Sequence, residues 1–75
     1  MDIEIGEDGI RLGQLLKFAS LVMDGSEAKA LIAAGAVRVD GDLETRRGRQ
    51  LHIGSLVEVD LPQGRQGLRL VGPRA

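Results

Sequence analysis

The stretch of this chain best suited to chemistry is residues 44–51, which read ETRRGRQL. It places Arg46, Arg47 and Arg49 within one short run, in a chain whose formal net charge is -1. A guanidinium group stays charged at any physiological pH and offers a planar fork of donors that suits two-point contact with a phosphate. The run is therefore a candidate site for an anionic partner. On charge alone, an ordinary solvated surface is the better explanation.

Strand geometry limits how many of these arginines can act together. Successive side chains of a strand point to opposite faces, so Arg46 and Arg47 should diverge unless a bulge or bend at Gly48 intervenes. At most two of the three arginines are then expected to converge. Further basic side chains could line the same face: Arg11, Lys17, Lys29 and Arg38. A net charge near zero argues against indiscriminate polyanion binding but allows such a local patch.

Enzymatic chemistry has one weak candidate. Ser26 and Lys29 have the Ser-x-x-Lys spacing of some serine acyl enzymes, because one helical turn brings the lysine to the serine. The companion motifs are missing, and a domain of 75 residues has little room for a pocket that excludes water. A helix-capping serine followed by a surface lysine explains the pair better than a small hydrolase. We therefore expect no catalytic residue and no enzymatic activity.

Metal binding has similarly little support. His52 is the only histidine and cysteine is absent, which excludes a two-histidine site and a thiolate zinc site. Asp40, Asp42 and Glu44 alternate along a hairpin, but they lack the glycine and glutamate spacing of a calcium-binding EF-hand loop. Carboxylates at a tight turn are ordinary turn residues. We expect no metal ion and no cofactor.

The composition restricts the class of protein further. A chain of 75 residues has room for one domain and one core. The absence of cysteine favours a reducing, cytoplasmic location, and no apolar run approaches the roughly 18 residues that cross a bilayer. The acidic, alternating N-terminus is not typical of a signal peptide. Phe18 is the only aromatic residue and is expected to be buried, so stacking surfaces for bases are nearly absent.

Two helices are predicted to precede most of the strands. Apolar residues recur at helical spacing from residue 10 to about residue 23, which predicts a first helix with one buried side. A second helix is predicted over residues 27–34, with Ser26 or, in competition, Asp24 as its N-cap and Gly35 at its end. The short connection between the helices predicts a helical hairpin.

After the second helix the apolar period falls to two. Residues 37–39 predict a strand, and the Asp-Gly pair that follows is a strong hairpin signal, with a returning arm over residues 43–46. Another strand is predicted at residues 56–60, followed by a loop and a short edge strand at residues 68–71. Residues 1–8 are expected to be extended. The prediction is an α+β fold, in which the two helices pack on a small antiparallel sheet.

The order of these features resembles that of the S-four RNA-binding domain, named after the fourth protein of the small ribosomal subunit. The resemblance covers residues 10–59: RLGQLL lies in the first helix, and SEAKALIAAGAVRVDG covers the second helix, the next strand and its turn. HIGSLVEV forms the closing strand, and ETRRGRQL is especially similar to short, free-standing bacterial members. The chain then divides into a lead-in (1–9), the S-four-like domain (10–60) and a C-terminal loop with an edge strand (61–75).

The resemblance implies a helical hairpin on a strongly twisted sheet, the alpha-L motif, which binds structured ribosomal or transfer RNA. In similar domains the RNA-facing surface comprises the start of the first helix, the second helix, and the adjoining strand and loop. Carried over position by position, the implied RNA-binding residues are Arg11, Ser26, Lys29, Arg38, Arg46, Arg47 and Arg49. Glu27 departs from the pattern, because many members have arginine there; an acid repels phosphate although it favours the helix dipole.

These observations predict a non-enzymatic RNA-binding protein that is monomeric and cytoplasmic, with the ribosome as a candidate partner and no membrane contact. Folded RNA can be recognised through its shape and its phosphates, without stacking platforms. The alternative is a protein-interaction adaptor that keeps the fold and has lost RNA. Glu27 and the acidic N-terminus favour that alternative, and an edge strand at residues 68–71 could take a partner by strand addition.

Overall fold

The computed structural model describes residues 1–73 of the chain. Its helices are α1 (Leu12–Phe18) and α2 (Gly25–Ala33). Its strands are β1 (Asp2–Glu4), β2 (Ile10–Arg11), β3 (Val37–Val39), β4 (Asp42–Leu43), β5 (Gln50–Leu51), β6 (Leu56–Leu61) and β7 (Gly64–Val71). The two helices and the several strands confirm the predicted α+β class.

Five of these strands form one sheet in the order β1-β7-β6-β3-β4, and β2 pairs with β5 in a separate ribbon. The sheet is mixed rather than wholly antiparallel as predicted, because β1 runs parallel to β7. The N-terminal residues thus contribute a strand. Since β7 lies between β1 and β6, the prediction of an edge strand over residues 68–71 was wrong. The predicted loop at residues 61–67 is also mostly strand, because β7 begins at Gly64, which pairs with Leu61 at the end of β6.

One aliphatic core lies between the helices and the five-stranded sheet. The sheet contributes alternate residues that are at most 2% exposed: Val37, Val39, Val57, Val59, Leu68 and Leu70. The helices contribute Leu12, Leu15, Leu16, Ala28 and Ile32. Because successive strand residues point to opposite faces, the charged residues between the buried ones lie on the other side of the sheet. We call that side, which faces away from the helices, the outer face.

The first helix is shorter than its apolar pattern predicts. α1 ends at Phe18, and Ser20 has a φ of 61°, a left-handed conformation that stops the helix. The N–H groups of Leu21 and Val22 both donate to the carbonyl oxygen of Leu16, so the chain turns back on the helix end and keeps Val22 buried. Phe18 is 63% exposed, contrary to the expectation, because its helical position lies away from the buried leucines.

The second helix begins two residues earlier than predicted, at Gly25, and Asp24 is its N-cap. The Oδ1 atom of Asp24 accepts a hydrogen bond from the N–H of Glu27 at 2.9 Å. Glu27 completes the arrangement, because its Oε2 atom accepts a hydrogen bond from the N–H of Met23 at 3.3 Å. Such reciprocal bonds satisfy N–H groups that lack partners within the helix. Ser26, the other candidate cap, is exposed in the first turn.

The arginine run lies on a loop rather than on a bulged strand. Residues 44–49, which we call the arginine loop, connect β4 to β5 with a turn at Arg47 and Gly48. The N–H of Arg49 donates to the carbonyl oxygen of Arg46 across that turn at 3.2 Å. The predicted strand over residues 43–46 was wrong beyond Leu43, where the ladder with β3 ends. Strand alternation therefore does not decide where the arginines point.

Gly9 lets the short ribbon form beside the arginine loop. It has a φ of 82°, and a Cβ atom at this position would collide with the carbonyl oxygen of Leu51 on β5. The side-chain amide of Gln50 donates to the carbonyl oxygen of Asp8 at 3.2 Å, which ties the two segments together. The ribbon thus holds the end of the arginine loop close to the start of α1.

Candidate nucleic-acid interface

A groove of about 260 Å³ opens between the start of α1, the start of α2 and the arginine loop. Three of its side chains are basic, one is an amide, and glycine and alanine form the rest. We call it the basic groove; its lining residues are Arg11, Gly13, Gln14, Lys17, Gly25, Ala28, Arg47 and Gly48. Basic groups from β2, α1 and the arginine loop are thus brought to one concave surface.

The backbone of the arginine loop caps α1. The first N–H groups of a helix have no partners within it, and here the N–H groups of Leu12 and Gly13 donate to the carbonyl oxygens of Arg49 and Arg47, each at 2.9 Å. The loop also packs closely on the helix here, because a Cβ atom at Gly13 would lie in van der Waals contact with the Cβ atom of Arg47, at 3.4 Å. The position of the loop on α1 is therefore set by backbone hydrogen bonds.

Arg11 and Gln14 form the rim of the groove on the α1 side. The N–H of Arg11 donates to Oε1 of Gln14 at 3.1 Å. Because that bond engages the amide oxygen, the amide nitrogen of Gln14 is left as a donor beside the groove. The guanidinium group of Arg11 lies across Gly48, with Nη1 3.6 Å from where a Cβ atom of Gly48 would be.

Glu44, the first residue of the arginine loop, is buried and accepts hydrogen bonds from the rest of the loop. The residue is only 5% exposed, and it is the one buried charged residue among residues 1–73. Its Oε2 atom accepts from the N–H groups of Thr45 and Arg46 and from Nε of Arg46, at 3.0–3.1 Å. Its Oε1 atom accepts from Nη2 of Arg46 at 3.1 Å and from Nη1 of Arg49 at 2.7 Å. Two of the three arginines are thus paired with one carboxylate.

The electrostatics of this cluster follow from the same contacts. Side-chain hydrogen bonds from Arg46 and then Arg49 favour the charged carboxylate more than burial disfavours it, and they lower the pKa of Glu44 from 4.5 to about 2. The hydrogen bond to Glu44 raises the pKa of Arg46 above its ordinary value. Glu44 is therefore ionised throughout the physiological pH range, and its charge offsets part of the charge of Arg46 and Arg49.

Arg47 is the member of the run that lines the basic groove. Within residues 1–73, the salt bridges are those of Arg46, Arg49 and Arg65, so the guanidinium group of Arg47 has no carboxylate partner there. The same holds for Arg11 and Lys17 over that range. The three arginines of the run are therefore divided, since Arg47 lines the groove whereas Arg46 and Arg49 hold Glu44.

Arg38 is separated from the basic groove. It lies between the buried Val37 and Val39, so its side chain is on the outer face, directly across from Glu58 on β6. A hydrogen bond from Arg65 holds the pKa of the neighbouring Asp60 below its ordinary value, with a smaller contribution from the charge of Arg38. The outer face therefore mixes both signs of charge around Arg38, whereas the lining of the basic groove contains no acid.

Ser26 and Lys29 are exposed on α2 and do not line the groove. Lys29 lies one turn beyond Gly25, which does line it, so the lysine is at the edge of the groove. Glu27 is on a different side of the helix. Each residue of an α-helix is rotated by about 100° from the one before it, so Glu27 is rotated by about 200° from Gly25. It lines a second groove, formed by α2 with Leu61 and Pro62 among others. The acid that departs from the S-four pattern thus faces away from the basic groove.

Sequence reasoning missed part of the groove lining. Lys17 was expected among the basic side chains that could line the face of the arginines but was not among the implied RNA-binding residues, and Gln14 was not singled out. On α1, Gln14 follows Gly13 by one position and Lys17 follows it by four. Because Gln14 and Lys17 are three positions apart, they lie on the same side of the helix. That spacing was the available signal. The role of Glu44 had no comparable signal, because a carboxylate in a hairpin is normally exposed.

No helix in the described part of the chain has the length and apolar character needed to cross a membrane. Residues 1–73 also hold no group of three or more His, Cys, Asp or Glu side chains placed to bind a metal ion.

The architecture and the groove define a small α+β module whose basic residues meet at the start of its helices. A family model described as the S4 domain matches residues 3–65, and the chain belongs to this family. This confirms the resemblance to the S-four domain. The chain is 38% identical over 58 residues to the Bacillus subtilis protein named "Probable ribosome maturation protein RlbA", a match that covers 77% of this chain and 82% of that protein.

A second relative is much longer than this chain. The tyrosine–tRNA ligase of Thiobacillus denitrificans is 39% identical over 57 residues, which cover 76% of this chain and 14% of the ligase. The shared region is therefore a small part of that enzyme.

Proposed function

We propose that this protein binds structured RNA by placing the sugar–phosphate backbone against the basic groove, and that it catalyses no reaction. The observation that carries the proposal is the convergence of Arg11, Lys17 and Arg47, none of which has a carboxylate partner within residues 1–73. Cations that are not neutralised by the protein are available to phosphate oxygens. Membership of the S4 domain family supports RNA as the source of the phosphates.

The groove suits recognition of the backbone rather than of the bases. It contains no aromatic ring, and Phe18, the only aromatic residue of the chain, lies at the far end of α1. Stacking platforms for single strands are thus missing. Glycine at three lining positions leaves a surface that a sugar–phosphate chain can approach closely. Double-helical or folded RNA, which is recognised through phosphates, 2′-hydroxyls and shape, fits these features.

Ribosomal RNA is the partner that we propose first. The Bacillus subtilis relative, whose printed name concerns ribosome maturation, matches over most of its own length. Transfer RNA is the second candidate, supported by the match to part of a tRNA ligase. We further propose that the protein acts as a monomer in the cytoplasm. Lys29, at the edge of the groove, is the implied residue outside the lining that is best placed to add a phosphate contact.

The proposal is tested by measuring the binding of fluorescently labelled ribosomal RNA hairpins and of transfer RNA while salt is titrated. Three neutralised phosphates predict a log–log slope of roughly -3 on a duplex. Arg47→Ala should weaken binding several-fold and bring the slope closer to zero by about 1. Arg65→Ala is the matched control, because it removes an arginine that is paired with Asp60 on the outer face. Salt-independent binding, or equal effects of the two substitutions, would contradict the proposal.

The adaptor alternative loses the contact that was predicted for it. Strand addition at residues 68–71 needs an exposed edge, but β7 is paired on both sides, with β1 and β6. Pull-downs from lysate with and without ribonuclease separate the two functions. RNA-dependent capture supports the RNA-binding proposal, whereas protein partners that survive ribonuclease, with no RNA in untreated samples, support an adaptor.

A further inference from the structure

We propose that Glu44 is a positioning residue for RNA binding: its buried carboxylate holds the arginine loop in the shape that presents Arg47 to the basic groove. This inference rests on the proposed function. It gives neighbouring arginines different roles. Arg46 and Arg49 hydrogen-bond Glu44 and order the loop, whereas Arg47 contacts the RNA.

The carboxylate is well placed to order the loop. It accepts hydrogen bonds from residues at both ends of the turn at residues 47–48: Arg46 lies directly before this turn, and Arg49 lies directly after it. It also accepts from the backbone N–H groups of Thr45 and Arg46. Three residues of the loop, two of them through their backbone, are thus tied to one side chain. The described residues leave no buried side-chain oxygen or nitrogen without a partner, so the buried charge is fully satisfied.

The ordered loop then sets the position of Arg47 relative to α1. The carbonyl oxygens of Arg47 and Arg49 accept hydrogen bonds from the N–H groups of Gly13 and Leu12, each at 2.9 Å. These bonds require both carbonyl groups to point at the helix at once, which a mobile loop would not maintain. The result is that Arg47 lines the same groove as Lys17 and lies next to Gly48, which Arg11 covers.

Electrostatics alone predicts the opposite consequence for a Glu44 substitution. Glu44→Gln removes a negative charge beside three arginines, and a purely Coulombic account then expects tighter binding to RNA. The positioning role expects weaker binding, because an amide offers one acceptor oxygen and places its NH₂ group against a guanidinium group. The sign of the change therefore separates the two accounts.

The experiment compares RNA affinities of the full chain at fixed salt, with the ribosomal RNA hairpin that binds the wild type best as the probe. We expect Glu44→Gln to bind roughly tenfold more weakly, a fold-change within the usual range for lost positioning contacts. Asp42→Asn is the matched control: it makes the same charge change at an exposed carboxylate on the same hairpin, and its binding should be unchanged or slightly tighter. Circular dichroism under binding conditions verifies that each variant is folded.

Glu44→Asp is a second test of the positioning role, and a double-mutant cycle that combines Glu44→Gln with Arg47→Ala is a third. Glu44→Asp retains the charge but is one methylene shorter, so it should also weaken binding; it carries the test if Glu44→Gln does not fold. In an Arg47→Ala background the effect of Glu44→Gln should shrink to less than about threefold, because the residue being positioned is gone. Equal or tighter binding by folded Glu44 variants, or full additivity with Arg47→Ala, would overturn the positioning role. Failure of the wild type to bind RNA would instead overturn the proposed function.

Discussion

Replacing Glu44 with glutamine should remove a pH-dependent part of the stability of the fold. Hydrogen bonds from Arg46 and Arg49 hold the pKa of Glu44 at about 2 in the folded protein, against 4.5 for an unperturbed carboxyl group. Because the folded-state pKa is the lower of the two, the unfolded chain binds more protons between these values. The stabilisation is therefore complete above about pH 5 and is lost as the pH falls from 4.5 through about 2.

The size of this effect follows from the pKa of Glu44. A tenfold change in proton affinity corresponds to about 1.4 kcal/mol, so the fall from 4.5 to about 2 sets an upper limit of roughly 3 kcal/mol. The side chain of Glu44 is only 7% exposed, but that of Arg46 is 72% exposed, and water screens its charge. We expect about 1–2 kcal/mol in practice, which corresponds to a fall in Tm of roughly 5–15 °C for a domain of this size.

Urea unfolding followed by circular dichroism, from pH 7 to pH 2, measures this contribution. The difference in free energy of unfolding between wild type and Glu44→Gln should be largest near pH 7 and should shrink below pH 4. Asp60, whose pKa is lowered by Arg65, titrates in both proteins and cancels in the difference. Asp42→Asn should follow the wild-type curve closely. A difference between wild type and Glu44→Gln that does not change with pH would refute the reasoning, because the ionised carboxylate would then not be its source.

Three further outcomes are expected. Arg38→Ala should leave RNA affinity within about twofold of wild type at fixed salt, because Arg38 lies on the outer face across from Glu58; a loss as large as that from Arg47→Ala would contradict this placement. Gly9→Ala should destabilise the fold by about 2 kcal/mol or more, as judged by urea unfolding, because the new Cβ would collide with a carbonyl oxygen of β5. Gly41→Ala, at a positive φ with open space around it, should cost less, and equal costs would count against the collision.

Local sequence patterns predicted the individual helices and strands of this fold better than they predicted which strands pair with one another. The alternation of Val37 and Val39 and the Asp-Gly pair after them defined β3 and its turn, since both are short-range signals. The pairing of β1 with β7 joins opposite ends of the chain, and no local signal specifies such a contact. For the same reason β7 was expected at an edge although it lies inside the sheet.

The candidate site was likewise predictable from the sequence only in part. Arg11 and Arg47 were expected to bind RNA, and the structure brings both to the basic groove. The distinction between Arg47 and its neighbours depends on Glu44, whose burial is a tertiary property that charge spacing does not reveal. The exclusion of Arg38 from the groove needed only the strand period, because a residue between two buried valines must face away from the core.

The most direct test of the RNA-binding account is a titration of the isotope-labelled protein with a ribosomal RNA hairpin, followed by amide chemical shifts in NMR spectra. The account predicts that the largest changes fall on the basic groove, at residues 11–17, 25–28 and 47–48, and that the outer face around Arg38 and Glu58 changes little. Changes centred on that outer face, or on the second groove beside Glu27, would contradict it.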